Sequence, residues 1–139
     1  MSVDINYDGN RKVLCITVSG ISDPDELTAV LDTITNSDDY PPDTNAIWDI
    51  RKADIANANY QLICELVKIR SRFKKRNNCR AALIVSSNVQ YGLSRMFEIL
   101  SDGKIKHQFK VFRNYDEGEK WLLKNKTHVP KLFDPVPLK

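Results

Sequence analysis

Hydrophobic positions along the chain switch between strand-like and helix-like spacing from one end to the other. Residues 3–7 alternate apolar and polar side chains, which is the period of a half-exposed β-strand. A turn signal at 8–10 separates them from a run rich in β-branched residues at 12–19, and Gly20 ends that run. The pattern predicts an N-terminal β-hairpin whose second strand lies deeper in a sheet.

A short apolar run at 45–51 ends in a carboxylate and a guanidinium. A run of this length is typical of a strand buried on both faces, as in a parallel sheet covered by helices. The prolines at 41 and 42 prevent a helix from continuing into it. Because helical patterns lie on both sides, we place this strand in the middle of an α/β sheet and expect Trp48 to be buried.

Helices and further strands are predicted around this central strand. One helix begins at Asp23, where an acidic cap and a proline stand together, and another spans about 60–76. A buried strand at 80–86 leads into a third helix that ends near 102. An edge strand at 107–113 precedes a fourth helix that opens with a capping signal.

Gly92 stands in the first half of the third predicted helix. Glycine in a helix interior costs roughly 1 kcal/mol relative to alanine. We therefore expect close packing or a bound ligand to require it.

Positive charge crowds the second half of the predicted helix at 60–76. The residues concerned are Lys68, Arg70, Arg72, Lys74, Lys75 and Arg76. One interpretation is a solvated face whose last turn complements the helix dipole. The other is a docking patch for an acidic partner or for anionic lipid headgroups.

Composition and charge are ordinary for a globular protein. The 139 residues are 42% hydrophobic and 28% charged with a net charge of +3, which is too mild to favour nucleic acid. No apolar stretch approaches the roughly 20 residues of a transmembrane span, and the opening residues lead us to expect no signal peptide. Cys15, Cys64 and Cys79 are odd in number and far apart, so we expect reduced thiols, a cytoplasmic protein and no metal site.

We expect a single domain over 1–126, followed by an extended proline-containing tail over 127–139. No internal repeat, low-complexity segment or linker divides the chain. His107 and His128 are remote from any plausible nucleophile in the sequence, and we expect both at the surface.

Polar side chains follow the predicted parallel strands at their carboxyl ends, where ligands collect in open α/β sheets. The candidate ligand- or partner-binding residues are Asp49, Arg51, Ser86, Ser87, Asn88, Tyr91 and Arg95. Backbone N–H groups at the start of the third helix favour an anion, and the planar fork of Arg51 suits a carboxylate or phosphate. The alternative is structural: Ser87 and Asn88 only cap the helix, Asp49 pairs with Arg51 or with backbone amides, and Tyr91 is half-buried.

Three stretches of the chain together resemble the STAS fold, and more closely its SpoIIAA-like branch. They are Ile-Trp-Asp-Ile-Arg at 47–51, Ala-Leu-Ile-Val at 82–85 with Tyr-Gly and Phe-Glu in the helix after it, and Val-Phe-Arg at 111–113 leading to Trp-Leu at 121–122. The resemblance covers roughly 13–123. It implies a STAS-like α/β domain with a mixed sheet of about five strands, about four flanking helices and an N-terminal hairpin.

Members of that branch are small cytoplasmic bacterial proteins without established chemistry, which implies a non-enzymatic regulatory or protein-interaction module. Anti-sigma factor antagonists of the STAS group carry a phosphorylatable serine shortly after the strand that ends in aspartate. Here the corresponding loop at 52–59 contains no Ser or Thr. We therefore expect no serine-phosphorylation switch at that position.

The alternative function is a small carrier of a lipid or of another apolar anionic ligand, since members are also compared with lipid-carrier domains. Such a carrier needs an internal apolar cavity of about 300 Å³ or more. Catalysis is not expected, because no histidine falls on the rim and no glycine-rich phosphate loop is present. We expect no cofactor and no nucleic acid, and the partner stays open among an unknown protein, a second copy of the chain and a small ligand.

Overall fold

The computed structural model describes residues 1–41, 43–71, 79–103 and 108–127. Within these ranges the chain forms five strands and four helices. The strands are β1 (Ser2–Asp8), β2 (Val13–Ile21), β3 (Asn45–Asp54), β4 (Arg80–Ile84) and β5 (Gln108–Phe112). The helices are α1 (Pro24–Asn36), α2 (Tyr60–Ser71), α3 (Asn88–Ser101) and α4 (Tyr115–Thr127).

The strands follow one another across a single sheet in the order β1-β2-β3-β4-β5. β1 pairs with β2 in antiparallel fashion, and every later pair of neighbours is parallel. The predicted hairpin, the mixed sheet and the central place of the strand at 45–51 are therefore confirmed.

Three helices cover one face of this sheet. α1, α2 and α3 each connect a strand to its next neighbour, always stepping in the same direction, and crossovers of one hand then put all of them on one face. On this face Leu14 and Ile16 of β2 pack with Ile34 of α1. The opposite face packs against α4, whose Leu122 contacts the cluster around Ile47.

Sequence signals at the helix starts act as predicted. The Asp23 side chain accepts a hydrogen bond from the Asp25 N–H at 3.0 Å, and Pro24 occupies the first turn of α1. At the start of α4, Asn114 Oδ1 accepts from the Glu117 N–H at 3.1 Å. Each cap satisfies a donor that the first turn of a helix leaves without a partner.

The glycine that close packing requires is Gly118 in α4. A Cβ at this position would lie 2.6 Å from Ile84 Cδ1 and 3.3 Å from Phe112 Cδ2, so any side chain here would force these neighbours or the helix to move. At Gly92 a Cβ would have no heavy atom within 4 Å. The expectation that close packing requires Gly92 is therefore wrong.

Arg70 does not belong to a solvated basic face, because it is 6% exposed. It follows Ile63 and Val67 at helical spacing, and both of these are buried, so Arg70 falls on the apolar stripe of α2. Lys68, on another side of the helix, is exposed as expected. The remaining basic residues of the predicted helix, at 72–76, lie outside the described residues.

Trp48 is half-buried rather than fully buried. It points to the face covered by α1, α2 and α3, where the helices leave a cavity against the sheet.

α4 continues to Thr127, one residue past the expected end of the domain. His107, His128 and the tail over 128–139 lie outside the described residues.

Candidate functional site

The carboxyl ends of β3 and β4 lie side by side, and the loop that follows β4 is bonded to the backbone of β3. Ser86 Oγ donates to the Arg51 carbonyl at 3.0 Å. Gln90 Nε2 donates to the Ala53 carbonyl at 2.8 Å. These bonds attach the start of α3 to the end of the central strand.

Gln90 is a structural residue of this rim that the predicted site did not include. It is 4% exposed, and its Oε1 accepts from the Ser86 N–H at 2.8 Å while the Ser87 hydroxyl accepts from the Gln90 N–H at 3.1 Å. The Ser-x-x-Gln spacing of a capping box is the signal that could have found it. Because Gln90 Oε1 and the Ser87 hydroxyl already accept from these N–H groups, part of the expected anion-binding capacity of the helix start is taken up.

Asp49 and Arg51 form an ion pair on one face of β3. Arg51 Nε lies 2.9 Å from Asp49 Oδ1, and Nη2 lies 2.7 Å from Oδ2, so both prongs of the guanidinium are occupied. The Arg51 hydrogen bond is the main cause that lowers the pKa of Asp49. The guanidinium also lies 5.6 Å from the ring centroid of Tyr115, which places it on the α4 side of the sheet, as in the structural alternative.

Asn88 and Tyr91 meet around Arg113 instead of Arg51. Arg113 Nη2 donates to Asn88 Oδ1 at 3.0 Å, and the guanidinium carbon lies 4.6 Å from the Tyr91 ring centroid. Further along α3, Arg95 Nη1 lies 2.8 Å from Glu98 Oε1. The predicted site residues thus fall into separate groups, each satisfied largely by its own neighbours.

The strand order bears on whether the rim can form a ligand crevice. A ligand crevice opens at the carboxyl edge of an α/β sheet where the strand order reverses and helices leave to opposite faces. The described parallel strands β2 to β5 follow one another without a reversal, so they form no such crevice. Binding at the rim stays a prediction.

A cavity of about 160 Å³ lies between the sheet and α1, α2 and α3. Its walls are mostly apolar and include Leu31, Leu62 and Leu93 from the helices. On its floor, Ala46 of β3 pairs directly with Ala81 of β4. Two adjacent methyl groups leave space that larger side chains would fill in a close-packed core.

One end of the cavity is polar. Thr44 precedes β3 and Cys79 precedes β4, and each stands two residues before a lining alanine, so both face the cavity side. The guanidinium of Arg70 approaches Cys79 Sγ at 4.0 Å. Arg80 also contributes to the lining, but its guanidinium lies over the Trp121 ring on the other face at 4.6 Å. Among the described residues, Arg70 therefore brings the charge to this cavity.

The described part of the chain has neither a metal-binding cluster nor a membrane-spanning helix. No three side chains of His, Cys, Asp or Glu gather there in a group that could hold a metal ion. None of its helices combines the length and the apolar character needed to cross a bilayer.

The comparisons with known proteins concern the fold. No protein-family model and no curated protein matches the chain. Among solved structures, it is similar to an uncharacterized protein from the DUF3478 family with a SpoIIAA-like fold, from Shewanella loihica PV-4. The similarity has a TM-score of 0.55 and 18% sequence identity, and it covers 87% of this chain and 92% of the other. The chain thus has the SpoIIAA-like α/β fold.

Proposed function

We propose that this protein is a non-enzymatic binding protein that holds a compact apolar ligand between its sheet and α1, α2 and α3. The cavity of about 160 Å³ with mostly apolar walls carries the proposal. Cavities of about 150 Å³ lined by Leu, Ile and Phe stay dry and take up benzene. A void of this kind costs stability when empty, so an occupant would recover part of that cost.

The cavity volume limits the class of ligand. At about 160 Å³ it falls short of the size expected of a lipid carrier, for which about 300 Å³ is the lower bound. A whole lipid is therefore too large. A molecule of about seven non-hydrogen atoms matches the volume, by comparison with benzene in a cavity of similar size.

Toluene is a suitable probe for this function. The melting temperature of the protein should rise with toluene concentration, because a ligand that binds only the folded state stabilises it by mass action. Ala46→Leu fills the cavity from its floor and should abolish the rise. Ala29→Leu makes the same change at an exposed position on α1 and should leave the rise intact. An unchanged melting temperature in the parent protein would contradict the proposal.

A second candidate function, a regulatory or protein-interaction module, is favoured by the exposed apolar residues at the carboxyl edge of the sheet. Ile21 at the end of β2 is 65% exposed, and Tyr60 and Val89 at the starts of α2 and α3 are each 60% exposed. Large apolar side chains that share one edge favour a protein contact. The contact proposed here would not depend on a serine phosphate, since the loop at 52–59 contains no Ser or Thr.

This candidate is tested by comparing two single substitutions on α3. Val89→Ser alters the carboxyl edge, whereas Ile99→Ser alters a residue that is 62% exposed in the last turn of the same helix. A partner bound by the parent and by Ile99→Ser, but lost from Val89→Ser, supports the contact. Equal retention by both variants contradicts it.

A further inference from the structure

We infer that the cavity selects a compact carboxylic acid, bound as the carboxylate at the end formed by Arg70, Thr44 and Cys79. The inference rests on the proposed function, because it names the ligand class of the same cavity. It also gives the ligand an orientation, with its carboxylate at the amino edge of the sheet and its apolar group toward the carboxyl edge.

The first observation is the position of a buried cation. Arg70 is 6% exposed and lines the cavity, so its charge acts in a medium that screens it far less than water does. A guanidinium offers several N–H donors in a planar fork that matches a carboxylate. A carboxylate at this end would be attracted by the positive charge and could accept hydrogen bonds, whereas a purely apolar ligand can do neither.

The second observation is an unsatisfied hydroxyl at the same end. Thr44 is 2% exposed, and its Oγ1 has no hydrogen-bond partner among the described residues. Thr44 precedes β3 and Cys79 precedes β4, and the parallel register of Ala46 with Ala81 places the two side by side when continued by two residues. A ligand oxygen at this end would give the Thr44 hydroxyl the acceptor it lacks.

The other end of the cavity has a different character. Its lining near the carboxyl edge includes Ile50, Ile55 and Leu62, which offer no side-chain hydrogen-bonding groups. Because Arg70, Thr44 and Cys79 lie at the amino edge and these apolar side chains at the carboxyl edge, the cavity matches a small molecule with one polar end.

A pair of ligands with the same shape isolates the effect of the charge. Isovalerate and 4-methylpentan-2-one both carry an isobutyl group on a carbonyl carbon, and they differ by an anionic oxygen in place of a methyl group. We expect the parent protein to bind isovalerate at least about tenfold more tightly than the ketone near neutral pH. Titration calorimetry of both compounds measures the ratio.

Two substitutions assign this preference to residues. Arg70→Met removes the charge and keeps an apolar side chain of similar length, so the preference should disappear while the ketone still binds. Thr44→Val keeps the shape and removes the hydroxyl. It should weaken isovalerate alone by several-fold and leave the melting temperature of the unliganded protein equal or higher, because a buried hydroxyl without a partner is lost.

The outcomes separate the inference from the proposed function. Binding of toluene and of the ketone without a preference for isovalerate overturns the carboxylate inference and leaves the apolar site standing. A preference that persists in Arg70→Met overturns the role given to Arg70. If none of these compounds binds the parent protein, both proposals fail.

Arg70→Met must fold for its part of the test, but a pH series on the parent protein does not depend on it. Isovalerate affinity should fall as the pH drops below the pKa of the free acid, because the neutral acid loses its attraction to the guanidinium. Affinity for the ketone over the same range serves as the control. An isovalerate affinity that follows the ketone at every pH overturns the inference without any variant.

Discussion

Gly118 of α4 and Ile84 of β4 approach so closely that a Cβ on the glycine would lie 2.6 Å from Ile84 Cδ1. Ile84 has no exposed surface, so its side chain has little room to move aside. At this contact α4 lies directly against the sheet, with no space for a further side chain between them. The distance between helix and sheet therefore depends on the absence of one methyl group.

Gly118→Ala should destabilise the protein by about 1–3 kcal/mol, because overpacking a full core forces helix and sheet apart. Gly92→Ala is the matched control, since the same methyl group on α3 meets no heavy atom within 4 Å. There we expect a gain of about 0.5–1 kcal/mol from helix propensity. Urea unfolding of both variants measures the opposite signs, and a loss of stability at both positions would contradict the packing argument.

Gln90→Ala should cost about 1–3 kcal/mol, because it removes the hydrogen-bond partner of one buried and one partly buried backbone group. The groups concerned are the Ala53 carbonyl and the Ser86 N–H. Gln61→Ala on the exposed side of α2 should change the free energy of unfolding by less than about 0.5 kcal/mol. Equal effects of the two substitutions would show that the Gln90 bonds contribute little.

The ion pair of Asp49 with Arg51 should contribute stability that is lost in acid. Because the pKa of Asp49 is lowered in the folded protein, the contribution is present above the ordinary aspartate pKa and disappears as the pH falls through the lowered one. Asp49→Asn should therefore be less stable than the parent near neutral pH and approach it at low pH. Asp4→Asn, at an exposed position of β1, is the control. A stability difference that stays constant with pH would contradict the assignment.

Tyr115 should limit stability at high pH. Burial is the main cause that raises its pKa to about 12 in the folded protein, and the Cys15 thiol adds to the effect. The buried neutral phenol therefore contributes fully to the free energy of unfolding below the ordinary tyrosine pKa of about 10. This contribution is lost as the pH rises toward the higher pKa. Tyr115→Phe should lose less stability than the parent over this alkaline interval. Thermal melts of both proteins over this interval measure the difference, and equal losses of stability would contradict the role given to Tyr115.

The order and type of the described elements could be predicted because each depends on local pattern. Caps such as Asp23 and Asn114 act over a few residues, and apolar runs show which strands are covered on both faces. Arg70 was misassigned because its charge suggested a solvated position, although its spacing from Ile63 and Val67 put it on the buried stripe. For Arg70, the helical spacing predicts burial correctly, whereas the charge does not.

The rim and the cavity depend on relationships that local pattern does not contain. The sequence indicated that Arg51 and Asn88 end neighbouring segments, but not that Asp49 occupies the Arg51 fork or that Arg113 reaches Asn88. The cavity floor arises because Ala46 pairs with Ala81. That register joins distant parts of the chain, and a missing volume leaves no mark in the periodicity of either strand.

The strand order also bears on how the protein is made. Each described strand after β1 pairs with the one that precedes it in the chain, so during synthesis each new strand finds its partner already outside the ribosome. None of these five strands has to be inserted between two that are already joined. The α4 face is the exception, because Val13, Ile47 and Ala82 pack with a helix that follows all five strands. Until that helix emerges, the nascent sheet carries an uncovered apolar surface, and this is the interval in which a chaperone would have most to protect.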